Sequence, residues 1–158
     1  MSTELLISDI LREHNFTLSV AESCSAGGIS SKICSVSGSS DYFFGGIIAY
    51  SNISKIRDLN VKELSIKKLT EVSSEVAIQM SEGVKKRFLS DFSVSTTGYA
   101  GPGGEEVGKV FISVSTPSKT EVKEFCFEGN RKTITDKIIE ESILFLFSEI
   151  KVFIFNDK

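Results

Sequence analysis

The stretch GSSDYFFGGIIAYSNISK, residues 38–55, decides the reading of this chain. Its middle, Gly45 to Asn52, reads as a β-strand, in which alternate side chains point to opposite faces. Ile47 and Ala49 fall on one face, Ile48 and Tyr50 on the other. Apolar residues on both faces predict a strand covered on both sides, in the middle of a layered α/β protein. The pair Gly45-Gly46 marks a bulge or a close backbone approach. Ser40 stands before the strand, and Lys55 stands after it on a short helix over Ile53 to Leu59. We expect Ser40 and Lys55 to flank the strand and meet at a catalytic site.

Upstream, Leu5, Ile7, Ile10 and Leu11 predict an amphipathic helix over residues 3–14, and Phe16 to Ala21 (FTLSVA) alternates as a first strand. ESCSAGG and the amphipathic ISSKICSV follow. Strand, small-residue turn and helix in this order aim backbone N–H groups at whatever lies above the strand's end, an arrangement that binds anions. A plainer reading has Ser23 or Ser25 only capping the helix. A helix N-terminus also lowers a thiol pKa, so Cys24 is a candidate nucleophile in the same place, without a histidine nearby in sequence.

Downstream, Val61 to Lys67 forms a short element, helical or loop, and Ser73 or Ser74 caps a helix over residues 74–90 with Val76, Ala77, Met80, Val84 and Phe88 on its apolar face. Phe92 to Ser95 opens a strand that runs into TTGYAGPGG, residues 96–104. A loop so rich in glycine exposes N–H groups that suit an oxyanion or a phosphate, and the Gly-Lys-Ser/Thr ending of a P-loop is missing. Val107 to Thr116 and Glu121 to Glu128 alternate as a β-hairpin around Pro117-Ser118. Ile134, Ile138, Ile139, Ile143, Leu146 and Ile150 stripe a last helix, and the tail VFIFN adds a strand or a subunit contact. Arg131 sits in that helix's first turn, where a cation opposes the helix dipole, so it serves an anionic ligand or simply the surface.

The totals narrow the function. At 158 residues a single domain, 1–158, is expected, with 41% hydrophobic and 25% charged residues. A net charge of −3 and one basic cluster, Lys85-Lys86-Arg87, argue against a nucleic-acid partner. The only histidine, His14, argues against a His-based triad and a multi-histidine metal site. Cys24, Cys34 and Cys126 form no CxxC pair and are odd in number, as reduced cytoplasmic thiols would be. The N-terminus has no continuous apolar run of a signal peptide, and Ile143 to Phe155, broken by Ser148, Glu149 and Lys151, is too short and polar to cross a membrane.

AESCSAGG, GSSDYFFGGIIAYSNISK, TTGYAGPGG with VGKVFISV, and GNR before the last helix together resemble the C-terminal domain family of CinA, in that family's order and over residues 5–150. The resemblance implies a three-layer α/β/α sandwich on a mixed β-sheet, and the stand-alone form of the domain. It implies hydrolysis of the carboxamide of nicotinamide mononucleotide to nicotinate mononucleotide and ammonia, in pyridine-nucleotide salvage. It implies no metal and no cofactor, a cytoplasmic protein and a homodimer. By resemblance Ser40 matches the nucleophile and Lys55 its base. Tyr50 joins them at the catalytic site, while Thr97, Gly98, Arg131 and Ser25 bind substrate. Three stretches depart from the family pattern. ESCSAG stands for E-S-C-T-G-G, with Ser25 for Thr and Ala26 for Gly; Val36-Ser37-Gly38 stands for Val-Pro-Gly; and the loop after Gly104 is short.

The residues suit that chemistry. A serine hydroxyl needs a base, and lysine serves only when neutral, so its pKa must fall from about 10.4 toward about 7 to 8. Oxyanion donors are expected near Ser40 or in the glycine loop. Arg131 suits a phosphate, and Tyr50 suits a cationic ring or a proton transfer. Two other classes remain open: a nucleotide-binding module without turnover, and an amidase for a related small amide.

Overall fold

Strands of period two and helices of period 3.6 sort the chain into layers around one sheet. The computed structural model describes residues 1–156. In order the elements are α1 (Thr3–His14), β1 (Leu18–Glu22), α2 (Gly28–Cys34), a single 3-10 turn at Ser39–Asp41, β2 (Phe43–Ile48) and α3 (Asn52–Leu59). Then come α4 (Glu63–Leu69), α5 (Ser74–Phe88), β3 (Phe92–Gly98), β4 (Lys109–Ser115), β5 (Thr120–Cys126) and α6 (Arg131–Asn156). The sheet order is β2-β1-β3-β4-β5. β1 pairs in parallel with β2 and β3, and β3-β4 and β4-β5 pair antiparallel, so the sheet is mixed.

The two faces of the sheet differ in chemistry. Leu18, Val20, Phe92, Val94, Val110, Ile112 and Val114 turn one way, into an apolar core with Ile7 and Leu11 of α1, Ile29 and Ile33 of α2, and the isoleucine stripe of α6. The alternate residues turn toward α5, and many are serines. Ser81 of α5 shares hydrogen bonds with Ser113 (2.8 Å) and Ser115 (2.9 Å), while Ser93 donates to the Ser81 carbonyl and Ser95 to that of Ala77. Buried hydroxyls are tolerated there because each has a partner. With α3 and α4 beside α5, the result is the expected three-layer α/β/α sandwich.

Two expectations from the sequence need correction. β2 lies at the edge of the sheet rather than in its middle, and Ile48 is 56% exposed. Apolar residues on both faces signalled a covered strand, yet only β1 pairs with it. The glycines of β2 do both things expected of them. The register slips past Phe44, and a Cβ on Gly45, at φ +146°, would come within 2.5 Å of the Phe88 ring. The second correction concerns the tail, where only the expected strand is overturned. VFIFN continues α6 to Asn156 as helix, and Phe153 packs edge-on against Phe16 and Phe92.

Candidate active site

The site forms beyond the carboxyl ends of β1 and β3, where open parallel sheets bind their ligands. Period two decides what happens as the chain leaves β1. Glu22 turns toward α2, and its carboxylate accepts from the N–H groups of Ile29 (2.8 Å) and Ser30 (3.1 Å) and from the Ser30 hydroxyl (2.7 Å). Neither Ser23 nor Ser25 caps α2; the buried carboxylate of Glu22 satisfies the first N–H groups of that helix instead. Ser23, the next residue, turns to the opposite layer.

There it meets Lys55. The Ser51 hydroxyl accepts from the Ser54 N–H and starts α3, so that one turn later Lys55 points back into the protein. Lys55 is 2% exposed, and its Nζ donates to Ser23 Oγ and to the Ala49 carbonyl, both at 3.0 Å. Burial pushes the Lys55 pKa down, since a desolvated ammonium loses its hydration; Glu71 and Cys24 oppose that shift. The pair thus sets a serine hydroxyl beside an amine that burial moves toward its neutral form, an arrangement suited to nucleophilic chemistry.

Ser23, Cys24, Tyr50, Lys55, Thr97 and Arg131 line one cavity of about 200 Å³, together with Asn52, Glu71 and the backbone around Gly98. Burial pushes the Cys24 thiol up to about 12, so this side chain stays protonated and is a poor nucleophile at neutral pH. Ser25 is tied to the Thr96 hydroxyl at 2.7 Å and braces the turn from below; it is not among the cavity-lining residues. Thr97 donates to the Glu71 carbonyl at 2.6 Å, which couples β3 to the loop before α5. Gly98 is required by close approach, because a Cβ there would lie 2.6 Å from Val110 and 2.8 Å from the Lys109 carbonyl. Tyr50 and Arg131 span the mouth. Arg131, the first residue of α6, donates to the Tyr50 hydroxyl at 2.9 Å and to the Gly101 carbonyl of the glycine-rich loop. Tyr50 makes no hydrogen bond with Ser23 or Lys55 among the described residues.

The structure does not bring Ser40 to this site. Ser40 lies exposed in the 3-10 turn before β2, whereas Lys55 follows the other end of that strand. The six residues of β2, at about 3.3 Å each, hold the two on the order of 20 Å apart. Ser23 occupies the place expected of Ser40. A signal for Ser23 was present: it follows a parallel strand, and Ser40 precedes one. Asn52, the first residue of α3, and Glu71, in the loop between α4 and α5, carried no comparable signal. Among the described residues no group of three His, Cys, Asp or Glu side chains is placed to hold a metal ion, and no helix is long and apolar enough to cross a membrane.

The family model of the CinA C-terminal domain matches residues 1–150. The chain belongs to the CinA C-terminal domain family. A Clostridium botulinum protein (strain Langeland) named for competence-damage induction is 41% identical over 154 residues, 95% of this chain. A CinA-like protein of Flavobacterium psychrophilum is 38% identical over 151 residues. The chain spans only 38% and 36% of the lengths of these two relatives. Among solved structures, a CinA superfamily protein of Enterobacter cloacae superposes with a TM-score of 0.91 at 26% identity, covering 94% of this chain and 90% of that one. A competence/damage inducible protein of Agrobacterium tumefaciens superposes with a TM-score of 0.86 at 27% identity. The mixed sheet with helices on both faces is therefore the CinA C-terminal fold.

Proposed function

We propose that this CinA-family chain is a nicotinamide-nucleotide amidase that uses Ser23 as nucleophile and Lys55 as base. The observation that carries this reading is the buried Lys55 Nζ, 3.0 Å from Ser23 Oγ at the wall of the cavity. In the attacking state Lys55 is neutral and accepts the Ser23 proton as Oγ bonds to the carboxamide carbon. The Ser23 N–H is already held by the Thr96 carbonyl, while those of Cys24 and Ser25 make no backbone hydrogen bond among the described residues. We assign these two free donors to the developing oxyanion, where one such donor is typically worth about 3 kcal/mol. Lys55 then returns its proton to the departing nitrogen, ammonia leaves, and water hydrolyses the Ser23 ester to the carboxylate.

Substrate recognition follows from the mouth of the cavity. At about 200 Å³ the cavity is smaller than typical sites of about 300 to 1,000 Å³, so it takes the carboxamide end of a nucleotide and leaves the phosphate outside. Arg131, already at the mouth, suits that phosphate, and the exposed Tyr50 ring suits the face of a pyridinium. A cytoplasmic setting and a homodimer belong to the same proposal.

Incubating the purified protein with nicotinamide mononucleotide and measuring ammonia and nicotinate mononucleotide tests the reading. Turnover is expected, with the phosphate-free riboside about ten- to a hundredfold poorer, the range of one charge-assisted bond. Absence of ammonia from the mononucleotide would refute the reading.

A further inference from the structure

Glu71 carries a charge in the wall of the cavity that, among the described residues, faces only the Lys55 amine, whose protonated form it favours. It sits between α4 and α5, on a loop whose backbone is held firmly. Thr70 turns the chain at φ +70°, its hydroxyl accepts from the Val72 N–H at 3.3 Å, and Thr97 donates to the Glu71 carbonyl at 2.6 Å. The side chain is half-buried and makes no hydrogen bond and no ion pair among the described residues. Glu75, four residues on, by contrast accepts from Ser65 and Gln79 through Oε1. A carboxylate gives up part of its hydration on such a wall; protonated Lys55 offsets that loss, and once Lys55 is neutral only a cation or a donor that arrives with the ligand does so.

Three cavity-lining residues carry formal charge: Lys55, Arg131 and Glu71. Lys55 is committed to Ser23 and Ala49, and must be neutral to act. Arg131 is committed to the mouth, on Tyr50 and Gly101. The working site therefore presents one positive group at its entrance and one uncommitted negative group in its wall. That pattern is complementary to a zwitterion whose cationic end enters and whose anionic end stays at the mouth. We propose that Glu71 is a cation subsite that selects carboxamides carried on a positively charged aromatic ring. The proposal rests on the amidase reading and adds to it the group that reads the charge of the ring. It also accounts for release, because hydrolysis turns a neutral carboxamide into a carboxylate beside Glu71, and like charges repel.

The test uses a matched pair of ligands, nicotinamide mononucleotide and its 1,4-dihydropyridine form. The two share carboxamide, ribose and phosphate; only the first has a cationic ring. Binding is measured by calorimetry in a Ser23→Ala background, which removes turnover, with Glu71 intact, with Glu71→Gln and with Glu71→Asp. The expected result is that Glu71→Gln weakens binding of the oxidised nucleotide about tenfold, leaves the reduced one within about twofold, and that Glu71→Asp keeps part of the preference. Equal losses for both ligands, or an unchanged ratio between them, would overturn the subsite and leave the amidase reading standing. Binding of neither nucleotide with Glu71 intact would overturn both. The glutamine is isosteric and breaks no contact of the side chain, and thermal melting of each variant separates a binding loss from a folding loss.

Discussion

Two serines next to parallel strands meet opposite surroundings in this protein. Ser23 leaves the carboxyl end of β1, lies buried, and has the Lys55 amine 3.0 Å from its hydroxyl. Ser40 approaches the amino end of β2, lies exposed in a 3-10 turn, and its hydroxyl makes no hydrogen bond among the described residues. Both stand in small-residue stretches, and both are separated from Lys55 by intervening structure in the sequence. The difference lies in the direction of the strands. At the carboxyl ends the chain turns out of β1 and β3 side by side, and α3 carries Lys55 back over them. At the amino end near Ser40 the nearby charges are Asp41 and Arg12, paired with each other at 3.5 Å. Chemistry concentrates where neighbouring strands deliver side chains to one point, which is a property of topology.

The sharpest way to break this comparison is to remove each hydroxyl in turn. Ser23→Ala is expected to lower amide hydrolysis by about 10³- to 10⁶-fold, as loss of a nucleophile does. Ser40→Ala is expected to leave turnover unchanged and stability within about 0.5 kcal/mol. Ammonia release under saturating nucleotide, with a melting curve for each variant, decides the matter. Full activity in Ser23→Ala with loss in Ser40→Ala would reverse the assignment.

The next effect isolates the base. Lys55→Arg keeps a positive charge but cannot become neutral, so it should cost about as much as Lys55→Ala, on the order of 10²- to 10⁴-fold in kcat. Burial lowers the Lys55 pKa below its ordinary 10.5, and the group is inactive while protonated. The activity of the unaltered protein should therefore rise with pH through a midpoint below that value. A pH profile of kcat/KM reads the midpoint, and a rate that does not rise anywhere between acid and alkaline pH, or near-normal turnover in Lys55→Arg, would remove Lys55 from proton transfer.

The smallest effect concerns the turn that presents Ser23. Ala26 stands where the family pattern has glycine, and its φ is +49°, in the left-handed region. The substitution of Ala for Gly keeps the size of the turn but strains its backbone. Ala26→Gly is expected to stabilise the fold by roughly 1 kcal/mol, equivalent to about 2 to 4 °C in Tm, without a change in kcat. A melting temperature that falls would show that the turn draws its order from the alanine.

Much of the site was legible in the sequence, for local reasons. Lys55, Tyr50, Thr97, Gly98 and Arg131 lie in short stretches of unusual composition, and the structure gathers all five around one cavity. Ser23 was legible only as one small residue in a turn, because its partner is thirty-two positions away and the contact depends on which layer each side chain faces. Glu71 had no signal at all. It follows an unremarkable helix, and its position is set by a hydrogen bond from Thr97 of another element. Ser25 illustrates the reverse case. It looks like a ligand-binding hydroxyl in its motif, yet Thr96 claims it.

By itself the sequence determined the layered α/β class, the helices of amphipathic period, the β4-β5 hairpin and the family, because these depend on residues close together in the chain. The resemblance to the family also singled out Lys55, which the structure buries with its amine 3.0 Å from a serine hydroxyl. Tertiary structure alone decided which serine lies beside it. A strand's period of two sends Glu22 to α2 and Ser23 to α3, and its length of six residues keeps Ser40 away. It alone decided that β2 is an edge, since strand order depends on how β1 pairs on both sides. Distances across layers are set by packing between elements far apart in sequence, and no local pattern encodes them.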